Sequence, residues 1–340
     1  MRLITYTQLS LFDELQAEWN DLVQRSTSNR IFSTWEWKTT WWKAYQPGQL
    51  WVIACRDDDA RLVGLAPWFV KETSERGRVV STIGCKEVTD YLDVIVDSEH
   101  VHEVLGCLAE SLLDHTGEFD RLELCNIPED SISYQLLPQV LEKYGFSTRL
   151  TPEDVCPVIQ LPATWEDYLN QLDKKNRHEL RRKIRRSQGV NSDTDWYIVD
   201  ETHDIHEEVE RFLELMAASD PAKKVFLQDP ENVTFFKSIA PVLQAKGWLQ
   251  LSFLVVDGAR AAAYLNFDYN GHILVYNSGL LPETYAHLSP GIVLLAHNIR
   301  HAIETGHQVF DFLQGDEVYK YRMGGQDTHV YNLEVTKKGA

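Results

Sequence analysis

Apolar positions along the chain switch repeatedly between a spacing of three or four residues and a spacing of two. Residues 9–25 space Leu, Phe, Trp and Val along one face of a helix. Residues 34–45 do the same, and Ser33-Thr34 followed by Glu36 predicts the start of that helix. "LWVIAC" and "LVGLAPWFV" predict strands joined by the polar turn "RDDDAR". "YLDVIV" predicts a further strand, "HVHEVLGCLAESLLDH" a helix, and "RLELCNI" a buried strand. "YQLLPQVLEKYG" reads as a helix ending on Gly145.

The series then returns. "WLQLSFLVV" and "AAAYLNFDY" predict strands about the turn "DGAR", and "HILVYNSGLL" predicts a third. "GIVLLAHNIRHAIETG" predicts a helix with a glycine stop, and "VFDFLQG" a last strand. Each half carries strand, Asp-containing turn closing on Ala-Arg, strand, and later helix, Gly, strand, with Glu123 falling opposite Asp311. Any mixed α/β chain yields some matches of this kind, so the duplication rests on element order rather than on identities. The polar, Pro-containing "TPEDVCP", residues 151–157, marks the expected boundary, giving domains at 1–150 and 151–340.

Composition agrees with two domains. A chain of 340 residues exceeds one comfortable hydrophobic core, and its 44% apolar and 25% charged residues are those of a globular protein. No stretch approaches the roughly 18 apolar residues that span a bilayer. "MRLITYTQLSLFDEL" has no charged start, long apolar segment and cleavage site, so a cytoplasmic location is expected. Five cysteines, odd in number and far apart, predict buried free thiols. Four of the ten Trp fall in "FSTWEWKTTWWKAY", at spacings that suit a helix packing face. Oligomeric state leaves no mark on this pattern.

A net charge of −18 argues against general affinity for nucleic acid or anionic membrane. "KKNRHELRRKIRRSQG", residues 174–189, is the local exception. Arg177, Arg181 and Arg185 recur every fourth residue beside a narrow Leu180/Ile184 stripe, and Arg182 and Arg186 occupy another side. Such a run is either solvated surface or a phosphate-contacting face. Twelve His include no His-Glu-x-x-His pair, "HDIH" and "HVH" read as surface, and no metal site is expected. No Gly-x-Ser-x-Gly elbow or Walker loop occurs, which removes support for hydrolase and kinase readings.

The densest chemistry lies in "FDFLQGDEVYKYRMG", residues 310–324. If the strand ends at Gly315, a helix follows with Asp316 and Glu317 in its first turn and Tyr319 one turn in. Asp311 in an apolar run is costly if buried alone. It is therefore either a general base for an amine or an Asp satisfied by a nearby cation, Lys320 or Arg322, or by a backbone N–H. Those two cations, with Asp316, would otherwise meet the acceptor. In "TDYLDVIV", Asp90 and Asp93 flank Tyr91, as acids flank an aromatic face in sugar sites, and also as they occur at strand edges with no ligand.

Taken in order, "FSTWEWKTTWWKAY", "TDYLDVIV", "KKNRHELRRKIRRSQG", "LSPGIVLL" and "FDFLQGDEVYKYRMG" resemble the CelD-type acetyltransferases found beside exopolysaccharide and cellulose genes. These belong to the Gcn-five-related N-acetyltransferase (GNAT) superfamily. They are similar to the FemAB-type peptidoglycan aminoacyltransferases, which carry two such domains in tandem. The resemblance spans nearly the whole chain. It implies an α/β fold, strictly an α+β mixed sheet, of two tandem GNAT-like domains. The first would be degenerate and on the acceptor side. The second would hold acetyl-CoA or another acyl-CoA in a splayed sheet. The pyrophosphate would lie at Ser289, Gly291 and Ile292, where Ala286 and Ser289 depart from the usual Arg/Gln-x-x-Gly-x-Gly loop. Tyr319 matches the place of the Tyr that protonates the departing thiolate. Arg177 and Arg181 would contact phosphates of the coenzyme or of a lipid- or nucleotide-linked sugar, the small-molecule acceptor. The implied activity is acyl transfer to an amine or hydroxyl of a cell-envelope sugar by direct attack, the acceptor lying between the halves. The alternatives are a FemAB-type transferase taking a tRNA end, and a non-catalytic GNAT-like binding module.

Overall fold

Two series of elements with the same order build the chain. The structure, a computed structural model, describes residues 1–85, 88–189, 193–281 and 284–338. One unit comprises Met1–Val155 with Thr328–Ala340, the other Cys156–Asp327.

The first unit opens with β1 (Arg2–Tyr6), α1 (Leu11–Arg25), α2 (Trp35–Tyr45), β2 (Gln49–Arg56) and β3 (Leu62–Thr73). It continues with β4 (Gly77–Thr82), β5 (Ile95–Val96), α3 (Val101–Asp114) and β6 (Arg121–Pro128). Two short helices, α4 (Ile132–Gln135) and α5 (Leu137–Lys143), lead into β7 (Phe146–Gln160). The second unit has α6 (Trp165–Gln171), α7 (Lys174–Ser187), β8 (Thr194–Ile198), α8 (Ile205–Ser219) and α9 (Pro221–Phe226). Then come α10 (Pro230–Ala245), β9 (Leu249–Val256), β10 (Ala259–Tyr269) and β11 (His272–Leu280). α11 (Pro290–Glu304), β12 (Val309–Asp311), α12 (Val318–Arg322) and β13 (Gln326–Lys337) finish the chain.

The strand order in the first unit is β1-β2-β3-β4-β6-β13, and in the second β8-β9-β10-β11-β12-β7. Each is antiparallel except at one place. β4 pairs β6 in parallel in the first unit, and β11 pairs β12 in parallel in the second. In each, a helix, α3 or α11, makes the crossover that a parallel pair requires. The element order that suggested duplication in the sequence is thus matched by strand order and by the position of the parallel pair.

Local chemistry explains the elements. Thr34 caps α2 by accepting the Trp37 N–H at 3.3 Å. Trp37, Trp41 and Trp42 are buried, so the tryptophan cluster is a packing face. Trp51, Trp68, Leu105 and Leu122 share the first unit's core. Val293, Leu294 and Ile299 of α11 lie with Leu254, Ala262 and Ile273 in the core of the second. Each such side chain contributes about 1.5–3 kcal/mol by leaving water.

The two units divide between Val155 and Cys156, within the expected 151–157 stretch, which lies inside strand β7 rather than in a loop. Four expectations are corrected. "YLDVIV" supplies only two strand residues, and "VFDFLQG" only three. The last strand, which the sequence assigns to the second domain, joins the first unit by pairing with β6. Cys85 and Cys125 form a disulfide with Cα atoms 6.0 Å apart, leaving Cys55, Cys107 and Cys156 free.

Gly279 fixes how closely α8 approaches β11. A Cβ there would lie 2.6 Å from the Leu215 carbonyl carbon and 2.8 Å from its Cβ. Backbone cannot swing aside as a side-chain tip does. Gly279→Ala is expected to lower stability by about 2 kcal/mol, read from the urea midpoint. An unchanged midpoint would show that α8 is free to move off the sheet.

Candidate functional site

The second unit's sheet parts at one place. β11 and β12 pair at His272↔Val309, Ile273↔Phe310 and Leu274↔Asp311. Beyond that, β11 stays with β10 as far as Leu280↔Ala262. The chain after β12 follows β7 instead, and Phe312 N–H donates to the Pro157 carbonyl at 2.9 Å. A bulge at Tyr276, where the β10 register skips from Asn277 to Val275, turns β11 at the same level.

Parity tells which backbone groups face the split. Leu281 N–H donates to the Ala261 carbonyl at 3.0 Å, so that pair is hydrogen-bonded. Antiparallel pairs alternate, which makes Tyr264/Ser278 a non-hydrogen-bonded pair. Ser278 therefore turns its N–H and C=O away from β10, toward the side β12 has left. Side chains cap both groups. The Lys223 ammonium donates to the Ser278 carbonyl at 2.6 Å and to its hydroxyl at 3.2 Å, and the Asn277 Oδ1 accepts the Ser278 N–H at 3.2 Å. Burial lowers the Lys223 pKa, while Asp220 and Glu317 oppose that shift from a distance.

Two phenols border the split. Tyr264, on β10, places its hydroxyl 4.0 Å from where a Cβ on Gly291 would sit, with Leu280 at 3.4 Å from the same point. Tyr319, on α12, sets its ring edge-on to Phe312 at 6.1 Å. Burial raises both pKa values; Glu317 raises both further, and Tyr264 adds to the rise at Tyr319. Among the described residues neither hydroxyl has a hydrogen-bond partner. The opening stretch of α11 and the stretch 311–322 thus meet around Tyr264.

At the entrance to α11, Ser289 takes the left-handed conformation (φ 55°) and makes no side-chain cap. Pro290 then opens a helix of 15 residues, with Gly291 and Ile292 in its first turn. Cations stand beside it. Arg186 donates to the His287 carbonyl at 2.7 Å, tying α7 to the turn before α11. Burial lowers the Lys183 pKa; Glu179 opposes this, and Arg182, Arg322 and Arg186 lower it further. Positive charges this close favour an anion at a helix start whose amides are unused.

Residues 174–321 match the family model of an acetyltransferase (GNAT) domain. FemX is similar over 98% of this chain and 97% of its own, at 13% identity and a TM-score of 0.65. L-PGS from Bacillus licheniformis is similar over 96% and 92%, at 11% identity and a TM-score of 0.54. A tandem GNAT protein of the clavulanic acid biosynthesis pathway is similar over 100% and 99%, at 10% identity and a TM-score of 0.50. No curated protein sequence matches the chain. The fold is the FemAB-like, two-domain GNAT fold expected from the sequence, a mixed α/β architecture. The matched segment contains β11, α11, β12 and all of α12 but Arg322.

The GNAT segment places other expected residues elsewhere. Lys320 is 2% exposed; its ammonium donates to the carbonyls of Leu313 (3.3 Å), Gln314 (2.6 Å) and Gly315 (3.1 Å) and pairs with Glu317 at 2.9 Å. It builds the turn after β12 and has no donor left for an acceptor. Asp311 is buried, and its Oδ1 accepts the Leu313 N–H at 2.8 Å, holding a residue with φ 55°. Asp316 and Arg322 are exposed. Arg177 donates to the Asn170 side chain at 3.2 Å, and Arg181 pairs with Glu166 at 2.7 Å. Those two arginines thus face α6 rather than α11. Arg181 lines a cavity of about 440 Å³ with Trp165, Glu166, Leu169, His178 and Arg185. In the first unit Tyr91 is 6% exposed, edge-on to Phe32 at 5.9 Å. Asp93 accepts from Ser28 and from the Ser133 N–H at 3.1 Å, and Asp90 is half-buried with partners of its own. An aromatic face turned inward cannot stack on a sugar, so the sugar-site expectation for these three is withdrawn. Among the described residues no His, Cys, Asp and Glu group is disposed to hold a metal.

Lys223, Tyr264 and Ser278 were not singled out in the sequence, and Glu317 only as a first-turn acid. Their relation depends on strand parity and on a six-residue helix, α9, that no periodicity announces. Lys320→Met is expected to cost about 3 kcal/mol of stability, because three carbonyls lose their donor. Urea denaturation checks it. A variant with normal stability and a raised KM would restore Lys320 to substrate binding.

Proposed function

We propose that the chain is an acyltransferase that takes an acyl group, acetyl in the first instance, from an acyl-coenzyme A thioester held in the β11–β12 split. The acceptor is an amine or hydroxyl of a cell-envelope sugar or its precursor, a choice resting on the CelD-type resemblance. The observation that carries the reading is the open β11 edge at Ser278, flanked by two phenol hydroxyls without partners and by a cation-lined helix start. The GNAT match over the same residues supports it.

In this reading the α11 amides at Gly291 and Ile292 meet the pyrophosphate, with Lys183, Arg186 and Arg322 supplying positive charge. Tyr319 donates a proton to the departing thiolate. Its raised pKa does not spoil the match. Burial penalises phenolate and thiolate alike, because each is the anion of a neutral acid, and the two pKa values rise together in the same apolar slot. A water takes the acceptor's proton. The similarity to FemX favours a second reading, an aminoacyl donor on tRNA. The net charge of −18 counts against it.

Calorimetric titration with acetyl-coenzyme A is expected to show saturable binding. Tyr319→Phe should lower kcat by about a hundredfold or more with little change in KM. Since burial keeps Tyr319 protonated beyond its ordinary value, kcat should show no alkaline fall from this group below about pH 10. Turnover unchanged in Tyr319→Phe, with chemistry rate-limiting, would remove the proton donor. Absence of acyl-coenzyme A binding would remove the donor.

A further inference from the structure

The cation at the open edge is Lys223, on α9. Two bonds to Ser278 fix its ammonium inside the split, two residues along β11 from the Tyr276 bulge. It is half-buried, and among the described residues no carboxylate lies within ion-pair distance of it. Asp220 and Glu317 act on it only from further off, and Glu317 is already engaged by Lys320 at 2.9 Å. Among the described residues, the split therefore carries on its β11 side a positive charge with no ion-paired carboxylate.

We propose that Lys223 sets the class of acyl group the split accepts, admitting uncharged acyl groups and rejecting those that bear an ammonium. The inference rests on the reading of the split as the donor slot and deepens it, since it separates acyl from aminoacyl donors. An acyl group is small, so an amino substituent stays within a few ångströms of the carbonyl it is attached to. Brought into the split, that ammonium faces Lys223 across partly desolvated space, where two like charges about 6 Å apart repel strongly. Among the described residues no carboxylate is ion-paired with Lys223, and Asp220 and Glu317 act on it only at longer range. Selectivity here comes from a repulsive element against the wrong donor rather than from an added contact to the right one.

The first unit carries the same device in a closed form. Lys38 on α2, likewise between the first and second strands of its unit, donates its ammonium to the Ile83 carbonyl just past β4. There the lysine is fully enclosed. In the second unit it stands at the edge of an opening.

The test compares binding of acetyl-coenzyme A and β-alanyl-coenzyme A, whose ammonium is two carbons from the carbonyl. Calorimetry is run on the full chain and on Lys223→Arg, Lys223→Met and Lys223→Glu. Wild type and Lys223→Arg should prefer the acetyl form by about a hundredfold. Lys223→Met should bring the two within a few-fold, by tightening β-alanyl binding while acetyl binding stays put. Lys223→Glu should invert the order. Thermal melts confirm that the variants fold; if Lys223→Met fails to, Lys223→Glu against Lys223→Arg carries the comparison. Equal binding of both donors to wild type overturns the proposal and leaves the donor slot standing. So does an unchanged preference in Lys223→Met, or a loss of both donors together, which would make Lys223 a donor contact. Binding of neither donor to wild type removes the slot and this inference together.

Discussion

A parallel pair of strands that separates after three residues is the constraint on which the second unit is built. Where β12 leaves, β11 is left with main-chain groups that must find partners or remain in contact with a ligand or water. The bulge at Tyr276 and the left-handed turn at Leu313 set the separation on its two sides. Lys320 then anchors the turn by gathering three carbonyls, which is why its charge faces inward. Everything chemically suggestive follows from that geometry. Tyr319 reaches the split because Lys320, one residue on, pins α12. Gly291 reaches it because Leu280 and Tyr264 let the helix start come close.

The first unit shows what happens when the same opening is filled. β4 and β6 pair only at Val79↔Arg121 and Val80↔Leu122 before they part. Backbone then takes the vacated places: Leu92 N–H donates to the Asn126 carbonyl at 2.8 Å, and the Asn126 side chain donates to the Thr89 carbonyl. Trp37 adds a bond to the Thr89 hydroxyl at 3.1 Å. Asp93 and Lys38, both buried, stand close enough that Asp93 opposes the fall in the Lys38 pKa, which burial nonetheless carries to about 7. Main chain cannot be displaced by a small ligand without unfolding the segment, whereas at Ser278 only side chains cap the edge. The contrast explains why matched topology gives one unit an available edge and the other a sealed one.

How much of this was legible depended on whether the signal was periodic. Helices α1, α2, α3 and α11 and the strand pairs β2–β3 and β9–β10 announce themselves through spacing and turn residues, and element order carried the fold. Tyr319 and Gly291 were singled out the same way, by counting elements. Lys320 and Asp311 stayed open between two readings because a charged residue beside an apolar run looks alike whether it meets a ligand or a turn. Asp93 and Tyr91 were likewise open between a sugar site and a strand edge, since burial of an acid shows only when Ser28 and Ser133 come together from distant segments. Cys85 and Cys125 are 40 residues apart, and only the sheet brings them into register. Lys223 gave no local sign at all, because its meaning lies in the parity of a strand 55 residues away.

The basic helix α7 illustrates how a charge run divides by face. Arg177, Arg181 and Arg182 find partners at Asn170, Glu166 and Glu179, so their charges are largely answered within the second unit. Lys183 and Arg186 lie on another face and are answered differently. Arg186 spends one N–H on a carbonyl and keeps its charge, while Lys183 sits among Arg182, Arg186 and Arg322 with its ammonium disfavoured. Like charges held together in the absence of ligand raise the energy of the free state, and a polyanion relieves that repulsion on binding. The same repulsion at Lys223 works against a cation. On the proposed reading, one unit presents two electrostatic demands, an anion wanted at the helix start and no second cation tolerated at the β11 edge. A donor with a negatively charged carrier and a neutral acyl group would satisfy both at once.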